Sequence, residues 1–527
     1  MPNSYRKKIL RQILSTGRRL ALPFTLDQEK AYRQQLRTLK KLLQKAEHTE
    51  FGKAFHFSDI LNSKAIYRSY KQHVPLMDYP KMHTWWQKAY NGGENITWPG
   101  KIEFFALSSG TSEGSSKYIP VSSDMLKSIT KASMRQMVSI AKTDIPKDFL
   151  AKDYLMMSGS TSLYFNDEGK TYAGDLSGIT SSNVPGWFDR FSKPSHDIRS
   201  EKSWQNKIDR MVEEAPEWDI VAIAGVPAWI QILFENIIKR YRLKNIHEMW
   251  PNFSVYVWGG VAIDPYRKSL DKLLGQPIMY FETYLASEGF VAYQAKKDSE
   301  GMRLNFRNGM FYEFIPFNED NFDPQGNIRE NAVALNIRQV KADQDYAILL
   351  STCSGAWRYL IGDTIRFTDT DNCEIRITGR TKHFLSICGE HLSVDNMNTA
   401  ITMLSDHIGE PINEFTVKGS SKGGKHSHHW YIACDKKGLN ESELAVLLDG
   451  YLSAINDDYA TERKHALKEI TVKLLTHDTF IAWMQEQGKF GSQNKFPRVL
   501  TDNKYAEWLK FLSRNQSASL TKQSEKA

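Results

Sequence analysis

Between residues 219 and 281 one pattern recurs: an apolar strand-like run, a glycine-bearing turn, a helix, and another apolar run. Asp219-Ile220-Val221-Ala222-Ile223-Ala224 reaches Gly225 and Pro227, and Trp229, Ile230, Leu233, Phe234, Ile237 and Ile238 then mark a helix with a wide apolar face. Phe253 to Trp258 ends at Gly259-Gly260, a helix is expected around Tyr266 to Leu274, and Pro277 to Phe281 is the next strand. This order predicts an α/β fold with parallel members in its sheet. In such sheets ligands bind at the carboxyl ends of the strands, where the glycine-bearing loops lie.

At 527 residues the chain is too long for one core, so two or more domains are expected. Residues 28 to 76 read as helices with a charged face, broken at Glu50-Phe51-Gly52-Lys53, and Pro75 and Pro80 punctuate an irregular lead-in with turns at Asn91-Gly92-Gly93 and Pro99-Gly100. Ser122-Ser123-Asp124 caps a helix running to about Ala141, and Tyr154 to Met157 is a strand ending in Ser158-Gly159-Ser160-Thr161-Ser162. Gly174 to Ile179 is rich in small residues, which either line a substrate cavity or loop over a core. Met302 to Phe317 reads as a hairpin turning on Asn308-Gly309, followed by strands at Val333 to Asn336 and Tyr346 to Ser351. After Ile375 to Arg380 the chain is expected to cross a hinge. The expected organisation is a large domain over 1–383 with mixed and parallel sheets flanked by helices, then a smaller, mobile α+β domain over 384–512 with strands at Phe415 to Val417 and His429 to Ala433. Residues 513–527 lack aromatics and are expected to be a disordered tail.

Polar chemistry gathers at the ends of these strands. Phe104 to Pro120 passes from an apolar run through Ser108-Ser109-Gly110-Thr111-Ser112-Glu113-Gly114-Ser115-Ser116 to Lys117, the composition of a loop that wraps a phosphate chain. It lacks the spacing of a Walker A loop, and an ordinary Ser/Gly-rich surface turn has a similar composition. Glu282-Thr283-Tyr284-Leu285-Ala286-Ser287-Glu288-Gly289 offers a ring able to stack on a purine and a carboxylate able to hold Mg²⁺. Asp363, behind Gly362, is suited to accept from ribose hydroxyls. Taken singly, Tyr284 also reads as a core aromatic, Glu288 as a surface acid and Asp363 as a turn residue.

Other classes are disfavoured. A net charge of +8 spread over 69 basic and 61 acidic residues is mild, and no basic stripe interleaved with aromatics marks a nucleic-acid surface. Cys353, Cys373, Cys388 and Cys434 lie far apart without a CxxC pair, which fits a reducing cytoplasm better than a disulfide framework or a zinc site. No apolar run approaches the roughly 20 residues of a membrane span. Met1 to Phe24 carries Arg6, Lys7, Lys8, Arg11, Arg18 and Arg19 without an acid. Its apolar stripe is short, which favours a surface helix docked on its own protein over one touching anionic lipid or a transit-like segment. His426 and His428 alternate on a strand, but with no third ligand evident a solvated or substrate-facing edge is favoured over a metal site; one histidine could also deprotonate an incoming amine.

The order of these clusters resembles the adenylate-forming superfamily of acyl and aryl ligases. Leu107 to Pro120, Tyr284 to Gly289 and Tyr359 to Asp363 resemble the three nucleotide motifs of the auxin-responsive acyl-acid amido synthetase family, and Glu50 to Lys53, Val74 to Tyr79 and Trp98 to Lys101 resemble its bacterial branch. The resemblance implies that Ser108, Ser109, Gly110 and Thr111 surround the phosphates with Lys117 close by, and that Gly260 and Ser287 belong to the nucleotide site. It implies that Thr283 and Tyr284 frame the adenine, Glu288 holds Mg²⁺ against the α-phosphate, Asp363 binds the ribose, and Arg380 sits at the hinge. Lys495 matches the family's C-terminal lysine, which reaches the nucleotide when the small domain closes as a lid. The third motif departs from the family pattern, with Leu360 at an arginine position whose role is lost or supplied by Arg358 or Arg366. The implied reaction is adenylation of a small carboxylic acid by ATP with Mg²⁺, releasing pyrophosphate, then transfer to an amine, releasing AMP. An acid–thiol ligase and an inactive nucleotide-binding scaffold are the competing expectations.

Overall fold

A computed structural model describes the chain apart from residues 1–26, 109–116, 147–148, 185, 324–325, 383–384, 386, 388–389, 391, 423–424, 489–495 and 525–527. Met1 to Phe24, Ser109, Gly110, Thr111, Cys388 and Lys495 therefore lie outside the described residues. The chain divides into two compact units, one of residues 1–261 and 270–381, the other of residues 262–269 and 382–527.

In the larger unit, Ile220–Gly225, Val255–Gly259 and Met279–Ala286 are adjacent parallel strands, and Asp153–Met156 and Ser192–Lys193 extend the parallel set to five. Pro227 starts the helix Pro227–Tyr241, where its missing N–H costs no hydrogen bond. Six antiparallel strands continue the same sheet: Gly289–Tyr293, Met302–Leu304, Glu374–Arg380, Tyr359–Asp369, Asp345–Thr352 and, at the edge, Met310–Pro316. After the repeating region the pairing thus changes from parallel to antiparallel within one sheet, of eleven strands among the described residues.

The hairpin expected at Asn308-Gly309 does not form. Met302–Leu304 pairs with Gly289–Tyr293 and Glu374–Arg380, whereas Met310–Pro316 pairs with Asp345–Thr352 at the far edge. Asn308 is buried, and its side-chain amide donates to Phe290 O at 2.6 Å and to Tyr312 Oη at 3.1 Å, so it ties a crossing segment to the core instead of capping a turn at the surface. The edge strand is closed by a side chain. Gln35, on the helix Gln28–Ala46, donates to Met310 O at 3.0 Å and accepts from Tyr312 N at 2.7 Å, in place of a further strand.

A second sheet of this unit holds the strands on either side of the Ser/Gly-rich segment. Its strand order is Lys117–Val121, Phe104–Ser108, Thr171–Gly174 and Tyr164–Asn166. The first two are antiparallel with Ser108 opposite Lys117, the last described residues on either side of 109–116. Ser122 caps the following helix, Ser123–Ile140, accepting from Met125 N.

The smaller unit has a three-stranded sheet in which Lys425–Ala433 is central, antiparallel to Phe415–Lys422 and parallel to Leu467–Leu475. His428 lies in its core, fully buried, with Nε2 2.9 Å from Glu390 Oε1. This is neither a solvated nor a substrate-facing edge. The ring nitrogens of His429 meet Ser420 Oγ at 3.0 Å and Thr471 Oγ1 at 2.9 Å. The helix Asp502–Ser524 continues through most of the expected disordered tail; no glycine or proline interrupts it and Ala, Leu, Lys and Gln tolerate a helix.

Candidate active site at the carboxyl ends of the strands

Three sequence clusters meet within the larger unit. Tyr284 lies near the end of the strand Met279–Ala286, Asp363 in Tyr359–Asp369, and Arg380 at the end of Glu374–Arg380, directly opposite Asp363 in the register. The Tyr284 hydroxyl donates to Asp363 Oδ2 at 2.5 Å, and Arg380 Nε is 3.1 Å from Asp363 Oδ1. Each Asp363 oxygen retains acceptor capacity for a further donor such as a ribose hydroxyl. Arg380 is itself anchored by donation from Nη2 to Ile361 O at 2.9 Å. The neighbouring Asp363 carboxylate holds its guanidinium pKa above the ordinary value.

Glu288 stands at the turn between Met279–Ala286 and Gly289–Tyr293, with 9% of its surface exposed. Burial and then the Asp363 charge raise its carboxyl pKa to about 7, while Arg380 and Lys117 pull it down. The same burial lifts the Tyr284 phenol well above its ordinary range, reinforced by Asp363 and Glu288. Two carboxylates, a guanidinium and the Lys117 ammonium therefore share one field. Gly289 is required beside Glu288 because its φ is +139° and a Cβ there would meet the sulfurs of Met125 and Met310 at 2.9 and 3.0 Å.

Gly260, with φ +84°, follows the strand Val255–Gly259, whose Gly259 is paired with Thr283 in the neighbouring strand. Among the described residues the Thr283 hydroxyl is buried without a hydrogen-bond partner, and Ser287 is half-buried at the turn before Glu288. Ser108 and Lys117 are register partners; Ser109, Gly110, Thr111 and Lys495 are outside the described residues.

Tyr79 belongs to this neighbourhood although only its surrounding motif drew notice in the sequence. Its hydroxyl accepts from Tyr118 N at 3.0 Å, and Lys117 Nζ lies 5.3 Å from its ring centre. Met77 pairs with Tyr359 as a parallel bridge, which brings the Val74 to Tyr79 motif against the strand bearing Asp363. Arg358 and Arg366 are committed elsewhere, so neither replaces the arginine absent at Leu360. Arg358 is buried and grips Glu313 through Nε at 2.9 Å and Nη2 at 3.1 Å, and Arg366 grips Asp345 at 2.8 and 3.0 Å.

Among the described residues no group of three or more His, Cys, Asp or Glu is placed to hold a metal ion. A site for Mg²⁺ does not need one, because this cation commonly takes one or two carboxylates and completes its shell with substrate phosphates and water. Glu288, buried with its charge opposed by desolvation, is a carboxylate that such a cation would relieve.

Family models of the GH3 family match the chain in three parts: the N-terminal domain over residues 23–279, the central domain over 304–380 and the C-terminal domain over 395–504. The jasmonoyl–L-amino acid synthetase GH3.5 of Oryza sativa subsp. japonica is 24% identical, over 93% of this chain and 95% of its own length. The solved structure of the acyl acid amido synthetase AtGH3.15 in complex with 2,4-DB is similar with a TM-score of 0.75 at 17% identity, covering 95% of each chain. The fold is also shared with a 2-hydroxyisobutyryl-CoA ligase in its postadenylation state with 2-HIB-AMP, at a TM-score of 0.59 and 15% identity over 93% of this chain and 92% of that one.

Proposed function

The chain belongs to the GH3 family, and on that premise we propose that it is an ATP-dependent acyl-acid amido synthetase, joining a small carboxylic acid to an amine, most simply an amino acid, through an acyl adenylate. The observation that carries the reading is the Tyr284–Asp363–Arg380 cluster with Glu288 and Lys117 in its field, gathered from three strands of one sheet. Asp363 receives the ribose hydroxyls, its geometry fixed by Tyr284 and Arg380. Thr283, with its unspent hydroxyl, and Tyr284 stand beside the adenine, and Ser108, Ser109, Gly110, Thr111 and Lys117 take the phosphates. Glu288 holds Mg²⁺, which supplies a positive charge against the α-phosphate when bound.

In the first step an oxygen of the acid attacks the α-phosphorus and the bond to the pyrophosphate oxygen breaks. Two anions must approach, so hydroxyl donors and the Lys117 ammonium offset their repulsion and the charge growing on phosphorus. In the second step the amine attacks the acyl carbon, AMP leaves with the electron pair of the anhydride bond, and the amine loses a proton. That step needs positioning and exclusion of water more than further activation. Among the described residues Cys353, Cys373 and Cys434 are buried and stand outside any disulfide, which supports a reducing, cytoplasmic setting. Among the described residues no helix is long and apolar enough to cross a membrane.

The test is ATP–pyrophosphate exchange against aryl, indolyl and fatty acids without acceptor, followed by AMP release with amino acids and with thiols. Exchange with at least one acid, and acid-dependent AMP release with an amino acid, is expected. No exchange with any acid despite ATP binding, or thioester in place of amide, would overturn the reading.

A further inference from the structure

The loop leaving the strand Asp153–Met156 is held by a buried lysine that the chemistry above does not use. Lys207, on the helix Trp204–Glu214, is 1% exposed, and its Nζ donates to Ser158 O at 2.9 Å, Gly159 O at 3.2 Å and Arg199 O at 3.4 Å. An ammonium has three N–H bonds, and all three end on carbonyls here. The loop is gripped on other sides as well. Ser177 Oγ accepts from Gly159 N at 3.0 Å, and the helix bearing Gly178 approaches so closely that a Cβ there would lie 2.3 Å from Ser160 O. A Cβ on Gly225 would lie 2.9 Å from Met157 Cβ, so the neighbouring strand closes in too.

Burying an ammonium costs several kcal/mol even after relaxation, and an apolar side chain would fill this space without that cost. The cation is accounted for if the position of the loop matters. Asp175 and Glu201 favour the charged form of Lys207, Arg199 opposes it, and burial outweighs them to bring its pKa down to about 8. Arg199, itself 3% exposed, is paired with Asp189 at 2.5 Å.

The loop lies along the same carboxyl edge as the nucleotide cluster. From Met279–Ala286 the sheet order runs through Val255–Gly259 and Ile220–Gly225 to Asp153–Met156. Three inter-strand spacings amount to about 14 Å. An acid whose carboxylate reaches the nucleotide cluster would lay its body along this edge, and about 14 Å is the reach of a medium-chain acid. Resting on the amido synthetase reading, we propose that Lys207 is a positioning residue for the acyl acid: it fixes the loop Met157 to Ser162 as the far wall of the acid site, some three strands from the ATP.

The experiment is pyrophosphate exchange by full-length Lys207→Met, Lys207→Arg and Ser177→Ala, with acid and ATP varied separately. Loss of the clamp should raise KM for the acid about tenfold in Lys207→Met with KM for ATP within about twofold, because a mobile wall loses positioning and not nucleotide contacts. Lys207→Arg, which restores the donors, should recover most of the acid KM, and Ser177→Ala should raise it by a smaller factor. In the wild type, KM for the acid should climb above about pH 8 relative to Lys207→Arg as the ammonium loses its proton. A fall of kcat and melting temperature together with unchanged acid KM would overturn the inference, leaving Lys207 merely structural. If Lys207→Met does not fold, an unchanged acid KM in Ser177→Ala overturns it. A wild type that exchanges with no acid refutes the amido synthetase reading itself, and this inference with it.

Discussion

Replacing Glu288 by glutamine should make the unliganded protein more stable while removing its activity. The carboxyl is 9% exposed, and burial with the Asp363 charge moves its pKa from the ordinary 4.5 to about 7. A rise of that size corresponds to about 3 kcal/mol. Between the two values the native protein keeps a proton that the unfolded chain has released, so stability falls as pH rises through this window. Relative to a neutral isostere, the ionisable side chain costs about 3 kcal/mol at pH 8 and on the order of 1 kcal/mol or less at pH 5. Glu288→Gln should therefore gain close to these amounts, read as the urea dependence of hydrogen exchange at amides of the Met279–Ala286 strand at both pH values. Pyrophosphate exchange in the same variant should fall about a hundredfold, the loss typical of one preorganised electrostatic group. A variant no more stable than wild type at pH 8, or one gaining equally at both pH values, would show that Glu288 is not held in an unfavourable ionised state.

Three further outcomes are expected. Asp363→Ala should also lower pyrophosphate exchange about a hundredfold, and it should lower the apparent pKa of Glu288 by removing a neighbouring negative charge, which titration by carboxyl NMR or infrared difference would detect. Arg358→Met leaves the 1%-exposed Glu313 without its bidentate partner and should destabilise the larger unit by about 3–5 kcal/mol in urea denaturation, with much of the loss recovered when Glu313→Met is added. Gly289→Ala places a methyl 2.9 Å from the Met125 sulfur at φ +139°; it should cost about 1–3 kcal/mol of stability and depress exchange, and an unperturbed melting temperature would refute the close approach.

Much of the candidate site was legible because its pieces are local. Tyr284, Ser287 and Glu288 fall in one eight-residue segment after an apolar run, and Asp363 stands directly behind Gly362. What local composition could not reveal is pairing at a distance: the Tyr284–Asp363 hydrogen bond spans 79 residues of sequence. Arg358 and Arg366 looked like candidates for the missing motif arginine because they flank it, yet each is drawn away by a carboxylate from another strand, Glu313 and Asp345. The histidine cluster misled for the same reason. Alternation correctly separates His428 from His429 on the strand, but Glu390, which makes His428 a core residue, lies 38 residues away.

The sequence by itself determined the α/β class, the strands and glycine turns of residues 219 to 281, the helix cap at Ser122 and the polar segments at strand ends, all of which depend on side-chain periodicity and on the backbone freedom of a few residues. Tertiary structure alone decided the order of the eleven strands, the rejection of the Asn308-Gly309 hairpin and the buried clamp of Lys207 on its three carbonyls. Those features rest on hydrogen bonds between segments far apart in the chain, and a buried donor or acceptor takes whichever partner the packed core brings within reach.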